Sequence, residues 1–315
     1  MQLKHIDTNS KTYLDFINQS ASVYNTPDWL KLYGSKCKVK GVYYNNILVA
    51  VFNTYSFKKS ILSFSIPPPF MPDCALLIAC DTDTEQMKEA VKKWMEQSIS
   101  KKKHSLFRFN VSYKYSELFN NTKIKGLNSK WNHTYVLDLT KAEDVQTLYA
   151  PKRRQQIRRA IKDNLQVKRI TDMQVVFDLV KKTFARQSKS IDEIFVRKIL
   201  FEYANKNNSF AFASSLDGKN CVVYFCIYHN KEAFYLLGGF DESIKHIGAG
   251  PLAMSACIEH AKKIGIETYD FEGSMEQSIE KYFKEFGGTK KQYLCFERSS
   301  KLGEIAVKIK KLIKG

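Results

Sequence analysis

Two stretches of the chain alternate short apolar runs with turn residues, a pattern that predicts β-hairpins. In residues 39–55 (VKGVYYNNILVAVFNTY) an Asn–Asn pair separates two apolar runs, and in residues 209–228 (SFAFASSLDGKNCVVYFCIY) an Asp–Gly pair does so. Asn, Asp and Gly accept the left-handed backbone that a two-residue hairpin turn requires. A further apolar run follows each hairpin, at residues 60–66 and 233–240, and a loop and a helix come next.

Helical periodicity marks the segments after the hairpins. Residues 83–100 carry one apolar face, and residues 251–265 run from a first-turn proline to a glycine suited to a C-terminal cap. Residues 267–273 (ETYDFEG) predict a strand, residues 277–288 (QSIEKYFKEFGG) a helix closed by glycines, and residues 291–297 (KQYLCFE) a last strand. The chain therefore consists of two α+β halves that share one order of elements.

A basic helix is predicted between the halves, over residues 151–162 (PKRRQQIRRAIK). Its buried stripe is expected to contain Ile157 and Ile161, which are four residues apart. Arg154 lies on the same line one turn earlier. An arginine on a buried line faces a cleft or needs a carboxylate partner, and both interpretations stay open.

We expect an N-terminal domain over residues 1–135, a C-terminal domain over residues 136–300 and a basic amphipathic helix over residues 301–315. The last segment has apolar residues on one face (Leu302, Ile305, Ile309 and Leu312). Two placements fit it: docking on the body of the protein, or contact with an anionic membrane surface.

Composition excludes several classes of protein. The apolar runs are too short for a transmembrane helix, and the first residues lack the layout of a signal peptide, so a cytoplasmic protein is expected. None of the seven cysteines forms a CxxC pair and the six histidines do not cluster, which argues against a metal site. The sequence has no HExxH, P-loop, GxSxG or kinase motif. Fifty Lys and Arg residues against 32 Asp and Glu residues give a net charge of +18, which favours polyanionic partners such as RNA, coenzyme A or nucleotide-linked substrates.

A candidate anion site follows the strand at residues 233–240. This strand ends in Gly238–Gly239, and the pattern Lys245-x-x-Gly248-x-Gly250 precedes the next helix. Free amides and the helix dipole at such a corner attract anions, although a tight turn explains the same glycines. The pattern resembles the pyrophosphate loop of the GNAT acyltransferases, with Lys245 where Gln or Arg is usual. The resemblance implies a donor-binding role for Lys245, Gly248 and Gly250, and the backbone amides of Leu237, Gly238 and Gly239 are candidates to hold the donor.

Two further segments resemble the Fem-type aminoacyltransferases, which are doubled GNAT folds. Residues 282–288 (YFKEFGG) resemble the Fem-type FK…FG segment, and Arg154, Ile157, Ala160 and Lys162 match an R-x-x-I-x-x-A-x-K helix. Phe283 stands where many GNAT enzymes have a tyrosine that acts as a general acid. The resemblance implies two tandem GNAT-like domains, each with a mixed, mostly antiparallel sheet flanked by helices, and it implies acceptor recognition by Arg154, to which we add Arg158.

Acyl transfer to an amine is the chemistry that these residues favour, and it needs a cation for the oxyanion and an acceptor for the amine proton. The Fem-type resemblance assigns Lys284 to the oxyanion. Asp270 and Glu272 are the candidate proton acceptors, because alternation along a strand places both side chains on one face.

The sequence therefore predicts a Fem-like N-acyltransferase of the GNAT superfamily. Its donor is acyl-CoA or aminoacyl-tRNA, it uses no metal, and its acceptor is an amine on a small molecule or a cell-wall precursor. The N-terminal domain is expected to bind the acceptor and the C-terminal domain the donor. One alternative is a non-catalytic GNAT-fold module that binds RNA or a nucleotide-linked ligand, which Phe283 favours. Another is a membrane-peripheral acyltransferase held by residues 301–315.

Overall fold

The computed structural model describes residues 1–18, 22–79, 82–100, 104–187, 191–273 and 277–300. The described chain divides into two compact units: unit 1 holds Met1–His133 and residues 292–300, and unit 2 holds Thr134–Lys291. The helix expected over residues 301–315 lies outside the described residues, so its docking or membrane contact stays a prediction. The acceptor and donor roles of the two halves also stay predictions.

Unit 1 is a mixed sheet with helices. Its strands are β1 (Gln2–His5), β2 (Cys37–Tyr44), β3 (Ile47–Lys59), β4 (Leu62–Ile66), β5 (Leu77–Ile78) and β6 (Leu106–Val111), and its helices are α1 (Lys11–Ile17), α2 (Pro27–Lys31) and α3 (Thr84–Ser100). Short 3-10 turns cover Val23–Asn25, Gly34–Lys36 and Ser116–Phe119. The pairing is antiparallel from β1 to β4, and β4 runs parallel to β6.

The first predicted hairpin is confirmed. Asn45 and Asn46 have φ angles of 47° and 66°, the left-handed backbone that this turn needs. Behind the hairpin, α3 packs its apolar face, including Met87 and Val91, against Phe52 and Phe109 of the sheet. Burial of this face explains why the helical periodicity of residues 83–100 was readable from sequence.

Unit 2 contains the segments that resemble GNAT enzymes. Its strands are the Thr134–Asp138 part of β7 (Asn128–Asp138), β8 (Gln166–Ile170), β9 (Ser209–Leu216), β10 (Lys219–His229), β11 (Glu232–Phe240) and β12 (Thr268–Asp270), and its helices are α4 (Pro151–Lys162), α5 (Met173–Arg186), α6 (Glu193–Arg197), α7 (Ala249–Lys263) and α8 (Gln277–Glu285). Residues Lys198–Tyr203 form a π-helical turn, and 3-10 turns cover Leu139–Lys141 and Val145–Leu148.

The sheet of unit 2 runs in the order β8-β9-β10-β11-β12-β7. Its pairs are antiparallel except β11 with β12, which is parallel. Asp217 and Gly218 form the predicted turn of the second hairpin, with φ angles of 49° and 77°. Each unit is thus a mostly antiparallel sheet flanked by helices, which confirms the predicted α+β class.

The last strand, β13 (Thr289–Ser299), begins in unit 2 and continues into unit 1. From Leu294 onward it pairs with β6 in an antiparallel register. Leu294 and Phe296 consequently enter the hydrophobic core of unit 1. Within the described residues, no helix is both long enough and apolar enough to span a bilayer.

Candidate active site

A split between two parallel strands places the candidate site in unit 2. β11 pairs with β12 at Glu232–Phe234, and it then continues to Phe240 whereas β12 ends at Asp270. The register of β11 with β10 shifts after Tyr235, because Phe225 faces Leu237 and Cys226 faces Tyr235, which leaves Leu236 as an extra residue. A bulge of this kind bends a strand and redirects its side chains, and bulges are frequent beside active sites.

Beside the diverging end of β11 lies a cavity of about 340 Å³, which we call the tyrosine cavity. Three elements supply its tyrosines: Tyr224 on β10, Tyr235 on β11 and Tyr282 on α8. Gly238 and Gly250 leave the space that these rings use, since a Cβ at Gly238 would stand 2.0 Å from the Tyr235 hydroxyl and one at Gly250 would stand 3.1 Å from the Tyr224 hydroxyl.

The three phenols are held in the protonated form. Burial raises the pKa of Tyr224 to about 12, although a hydrogen bond with Tyr282 opposes the shift. Burial also raises the pKa of Tyr235 and of Tyr282 well above the usual value. The Tyr224 and Tyr282 hydroxyls lie 3.2 Å apart. The cavity therefore offers neutral hydroxyl groups rather than phenolates at physiological pH.

A buried arginine, Arg153, is the cation of the tyrosine cavity. Arg153 is 8% exposed. Its guanidinium lies 2.8 Å from a carboxylate oxygen of Glu285 and donates a hydrogen bond to Gln156 Oε1 at 2.7 Å. It also stacks 4.1 Å from the ring centre of Tyr282. Its Nε has no partner among the described groups. The site thus keeps one buried, cationic N–H group beside the cavity.

The prediction that Arg154 lies on the buried line of its helix is wrong. Arg153, Ile157 and Ala160 are the buried residues of α4, and Ile161 is 59% exposed. The buried face of α4 is rotated by one residue from the predicted one. Gly248 packs closely on α4 at Ala160, where an isoleucine does not fit. The sequence also allows a buried stripe through Arg153, Ile157 and Ala160. Hydrophobicity alone favours the stripe that contains Ile161, because isoleucine is more apolar than alanine.

The two predicted acceptor-binding arginines lie elsewhere on α4. Arg154 is half-buried and donates to the carbonyl oxygens of Tyr149 at 2.9 Å and Thr147 at 3.4 Å, so it braces the preceding turn. Arg158 is exposed. Their roles in acceptor recognition stay predictions.

Most backbone N–H groups of the predicted anion loop already donate hydrogen bonds to protein groups. Gly248 N–H donates to His246 Nδ1 at 3.0 Å, and Ala249 N–H donates to the His246 carbonyl at 3.1 Å. Because His246 Nδ1 accepts this hydrogen bond, it carries no proton. The ring proton is therefore on Nε2, which donates to Asp163 Oδ2 at 3.1 Å. Pro251 has no amide proton, which leaves Gly250 as the first-turn amide for a ligand. Lys245 is exposed and is not part of the cavity wall.

Gly248 and Gly250 serve different purposes, and this difference yields a stability prediction. A Cβ at Gly248 would lie 2.3 Å from the Gln156 carbonyl oxygen, whereas one at Gly250 would meet only tyrosine hydroxyls, at 3.1 and 3.3 Å. Gly248→Ala is expected to lower the free energy of unfolding by about 1–3 kcal/mol, since α4 must shift. The matched control, Gly250→Ala, is expected to change it by less than about 1 kcal/mol. Urea unfolding measures both, and equal losses would refute the close contact between α4 and α7.

The glycines of β11 also differ in purpose. A Cβ at Gly239 would stand 2.5 Å from backbone of Leu179 on α5, so this glycine permits close packing of helix on strand. Leu237 is 4% exposed. The donor-binding roles assigned to Leu237, Gly238 and Gly239 stay predictions, but the structure places Gly238 and Gly239 on the wall of the tyrosine cavity.

A second cavity, of about 560 Å³, lies on another side of α8, and we call it the lysine cavity. Gln277, Glu280, Lys281 and Lys284 line it from one face of this helix, and Tyr135 of β7 faces them. Lys284 and Tyr282 are two residues apart, so they point about 200° apart around the helix and enter different cavities. The Arg153–Glu285 ion pair lies between the cavities, because Arg153 lines the first and Glu285 the second.

The prediction that Asp270 and Glu272 share one face of a strand is wrong. β12 ends at Asp270, and Glu272 has a φ angle of 56°, which breaks the alternation. The Asp270 carboxylate is buried and accepts hydrogen bonds from Thr134 Oγ1 at 2.6 Å and from Glu272 N–H at 2.8 Å. Neither acid lines the two cavities. Asp270 therefore stabilises the turn after β12, and catalytic roles for the two acids stay untested.

Among the described residues, no group of three or more His, Cys, Asp or Glu side chains is arranged to hold a metal ion. Sequence reasoning missed the residues that the structure brings together: Arg153, Tyr224, Tyr235 and Tyr282 around one cavity, and Tyr135 and Glu280 in the other. The sequence signal for Tyr135, Tyr224 and Tyr235 was their position within apolar strands, a pattern that is equally typical of a hydrophobic core.

Comparison with known proteins identifies the architecture. The family described as "Acetyltransferase (GNAT) domain" matches residues 151–284. A crystal structure of FemX superposes with a TM-score of 0.68 at 13% identity, and the match covers 93% of this chain and 97% of FemX. No curated protein gives a significant match.

Two other solved structures share the fold. The C-terminal domain of a putative lysylphosphatidylglycerol synthetase from Agrobacterium fabrum gives a TM-score of 0.59 at 13% identity, covering 97% of this chain and 96% of that one. A tandem GNAT protein from the clavulanic acid biosynthesis pathway gives 0.56 at 10% identity, covering 94% and 97%. The family match lies within unit 2, and these structures share a Fem-like double-GNAT fold with this chain.

Proposed function

Because residues 151–284 match the GNAT acetyltransferase domain and the chain has a Fem-like double-GNAT fold, we propose that this protein is an N-acyltransferase. It transfers an acyl group from a nucleotide-linked donor to an amine. The observation that carries the proposal is the arrangement of the two cavities around α8, with the Arg153–Glu285 pair between them. A donor in one cavity and an acceptor in the other are then separated by a single ion pair.

The tyrosine cavity suits the donor. Its volume of about 340 Å³ is near the lower end for small-molecule sites, so it accommodates one part of a large donor rather than the whole molecule. The acyl group would extend past the Arg153–Glu285 pair to the amine beside Lys284. The Gly250 amide, the buried Arg153 and the neutral tyrosine hydroxyls supply hydrogen-bond donors for carbonyl and phosphate oxygens. The remainder of the donor would pass the start of α7, where the helix dipole favours negative charge.

Acyl-CoA is the donor that we propose, because GNAT domains generally use it. Aminoacyl-tRNA is the second candidate: residues 282–288 resemble the Fem-type segment, and the net charge of +18 suits a polyanion. The acceptor would be an amine, with a cell-wall precursor as one candidate. Phe283 does not favour a non-catalytic module, since its ring is 4% exposed and stacks on Phe271 at 4.9 Å, so it serves the core.

Calorimetric titration with acetyl-CoA and free CoA tests the donor site. We expect binding in the micromolar to millimolar range for the unmodified protein and for the control Lys281→Ala, whose side chain lines the other cavity. Gly250→Val should abolish binding, because its side chain fills the space beside the Tyr224 and Tyr282 hydroxyls. A thermal melt of each variant separates loss of the site from loss of the fold.

If the unmodified protein does not bind CoA, alanyl-tRNA is the next ligand. Binding of alanyl-tRNA that falls steeply with salt and that Gly250→Val reduces would identify the tRNA donor. Absence of binding to both donors would refute the proposed function. Binding that Gly250→Val leaves unchanged would place the donor outside the tyrosine cavity.

A further inference from the structure

The start of α7 offers a phosphate fewer free N–H groups than a helix start usually does. Gly248 N–H, immediately before this helix, donates to His246 Nδ1 at 3.0 Å, and Pro251 has no amide proton. The imidazole of His246 thus uses the N–H group that an anionic donor passing this helix end would need. Whether this N–H group becomes free depends on the protonation of Nδ1, because a protonated ring nitrogen cannot accept a hydrogen bond.

His246 lies between the tyrosine cavity and a carboxylate. It lines the cavity together with Gly250 and Arg153, and its Nε2 donates to Asp163 Oδ2 at the end of α4. Hydrogen bonds from Arg159 and from His246 hold the pKa of the Asp163 carboxyl below its usual range, so this group is a carboxylate at neutral pH. A negative charge at Nε2 favours the doubly protonated, cationic form of the ring.

The wall of the tyrosine cavity contains one group that changes its charge near neutral pH. Among the described residues that line the cavity, the ionisable side chains are Arg153, Tyr224, Tyr235, His246 and Tyr282. Burial raises the pKa of all three phenols, and an arginine stays cationic. Histidine is the ordinary side chain that titrates between about pH 5 and pH 8. A change of pH in this range therefore acts on the cavity wall through His246.

Three charged groups flank the ring outside the cavity wall. They are Asp163 and Arg159 at the end of α4 and Lys245 in the loop of His246 itself. Because the charges of Asp163 and Arg159 oppose each other, the ring is not locked in one protonation state by a single dominant neighbour. An additional negative charge in the cavity can therefore shift the ring to its cationic form.

Arg153 gives the same cavity an unpaired cationic N–H group. This residue is 8% exposed, and its Nε has no partner among the described groups. A buried cationic N–H group without an acceptor lacks a hydrogen bond that a ligand oxygen can supply. Arg153 thus points to an anionic or carbonyl oxygen in the cavity that His246 also lines.

Resting on the proposed function, we propose that His246 binds a phosphate of the donor in its doubly protonated form, so that donor binding is coupled to the uptake of one proton. The proton comes from the solvent and binds to Nδ1. Nδ1 then no longer accepts from Gly248, and both N–H groups become available to a phosphate oxygen at the start of α7. Asp163 keeps the ring oriented through Nε2. Donor affinity rises as the pH falls, because the cationic form of the ring becomes more populated.

Calorimetric titration with dephospho-CoA tests this coupling. The probe keeps the pyrophosphate but lacks the 3′-phosphate, a monoester that would itself titrate near pH 6. Titration in two buffers of different ionisation enthalpy counts the protons that are taken up. For the unmodified protein we expect up to about one proton per bound ligand, and an affinity that rises about tenfold from pH 8 to pH 6. Binding without proton uptake would overturn the proposal.

His246→Asn separates the proton from the hydrogen bond. The carboxamide oxygen of asparagine can still accept from Gly248 N–H, but a carboxamide does not titrate. This variant is expected to bind dephospho-CoA at pH 8 within about threefold of the unmodified protein, to take up no proton and to gain no affinity at pH 6. A pH dependence that survives in His246→Asn would assign the proton to another group and contradict the role of His246.

Asp163→Asn tests the supporting carboxylate. Its oxygen can still accept from His246 Nε2, but the negative charge is gone, so the rise in affinity should move to lower pH. An unchanged pH dependence would show that Asp163 does not act on the ring, against the proposal. The matched control is His5→Asn, which replaces an exposed histidine of unit 1 and should keep the proton uptake of the unmodified protein. Thermal unfolding of each variant detects loss of the fold.

Titration with CoA itself distinguishes the remaining outcomes. If the unmodified protein binds neither CoA nor dephospho-CoA at any pH, the CoA donor and the role of His246 are refuted together. If it binds CoA but not dephospho-CoA, the phosphate contact belongs to the 3′-phosphate, and the role of His246 is refuted alone. Binding of both ligands with proton uptake that is lost in His246→Asn supports the proposal.

Discussion

Replacing Arg153 with methionine is expected to lower the free energy of unfolding by about 3 kcal/mol, the cost of breaking a largely buried ion pair. The side chains of Arg153 and Glu285 are 10% and 14% exposed, so removal of the guanidinium leaves a carboxylate with little water around it. The substitution also removes the bond to Gln156 and the stacking on Tyr282. For a unit of this size, the midpoint of thermal unfolding should fall by roughly 6–12 °C.

Arg154→Met is the matched control for this effect. Arg154 is the next residue on the same helix, but within the described part of the chain its hydrogen bonds go to backbone carbonyls, so its loss should cost about 1 kcal/mol or less. The double variant Arg153→Met/Glu285→Leu should recover most of the stability, because no unpaired charge then stays buried. Equal stability of Arg153→Met and Arg154→Met would show that the pair does not stabilise unit 2.

Replacing Lys284 with alanine is expected to lower kcat by at least about tenfold and to leave folding nearly unchanged. Lys284 is exposed on the face of α8 that lines the lysine cavity, so its removal opens no cavity in the core. Loss of a positioned cation from a developing oxyanion typically costs about 2–4 kcal/mol of transition-state stabilisation. Steady-state kinetics with the donor identified by titration measures the change, and thermal unfolding measures the stability.

Lys281→Ala provides the comparison within the same cavity. Lys281 carries the same charge on the same helix face, one turn before Lys284. A general loss of positive potential would lower the activity of both variants alike, whereas a specific oxyanion contact requires a loss confined to Lys284→Ala. Loss of folding in Lys284→Ala, with normal kcat in the fraction that stays folded, would make Lys284 a structural residue.

The positions of Arg153, Asp270 and Glu272 illustrate the limit of local patterns. Burial of apolar residues has a period that can be read along the chain, so the hairpins at Asn45–Asn46 and Asp217–Gly218 were predicted correctly. The buried face of α4 was not predicted correctly, because Arg153 is buried through its ion pair with Glu285, which is more than a hundred residues away in the chain. The alternation assumed for Asp270 and Glu272 failed because β12 is only three residues long.

The sequence by itself determined the two hairpins, the helices that follow them, the α+β class and the family resemblance, because hydrophobic period, turn residues and short motifs are properties of neighbouring residues. Only the tertiary structure decided which side chains share a cavity. Tyr135 meets Glu280 and Arg153 meets Glu285 across elements that are distant in the chain. Such contacts depend on packing and on the pairing of buried charges, and neither leaves a periodic trace in the sequence.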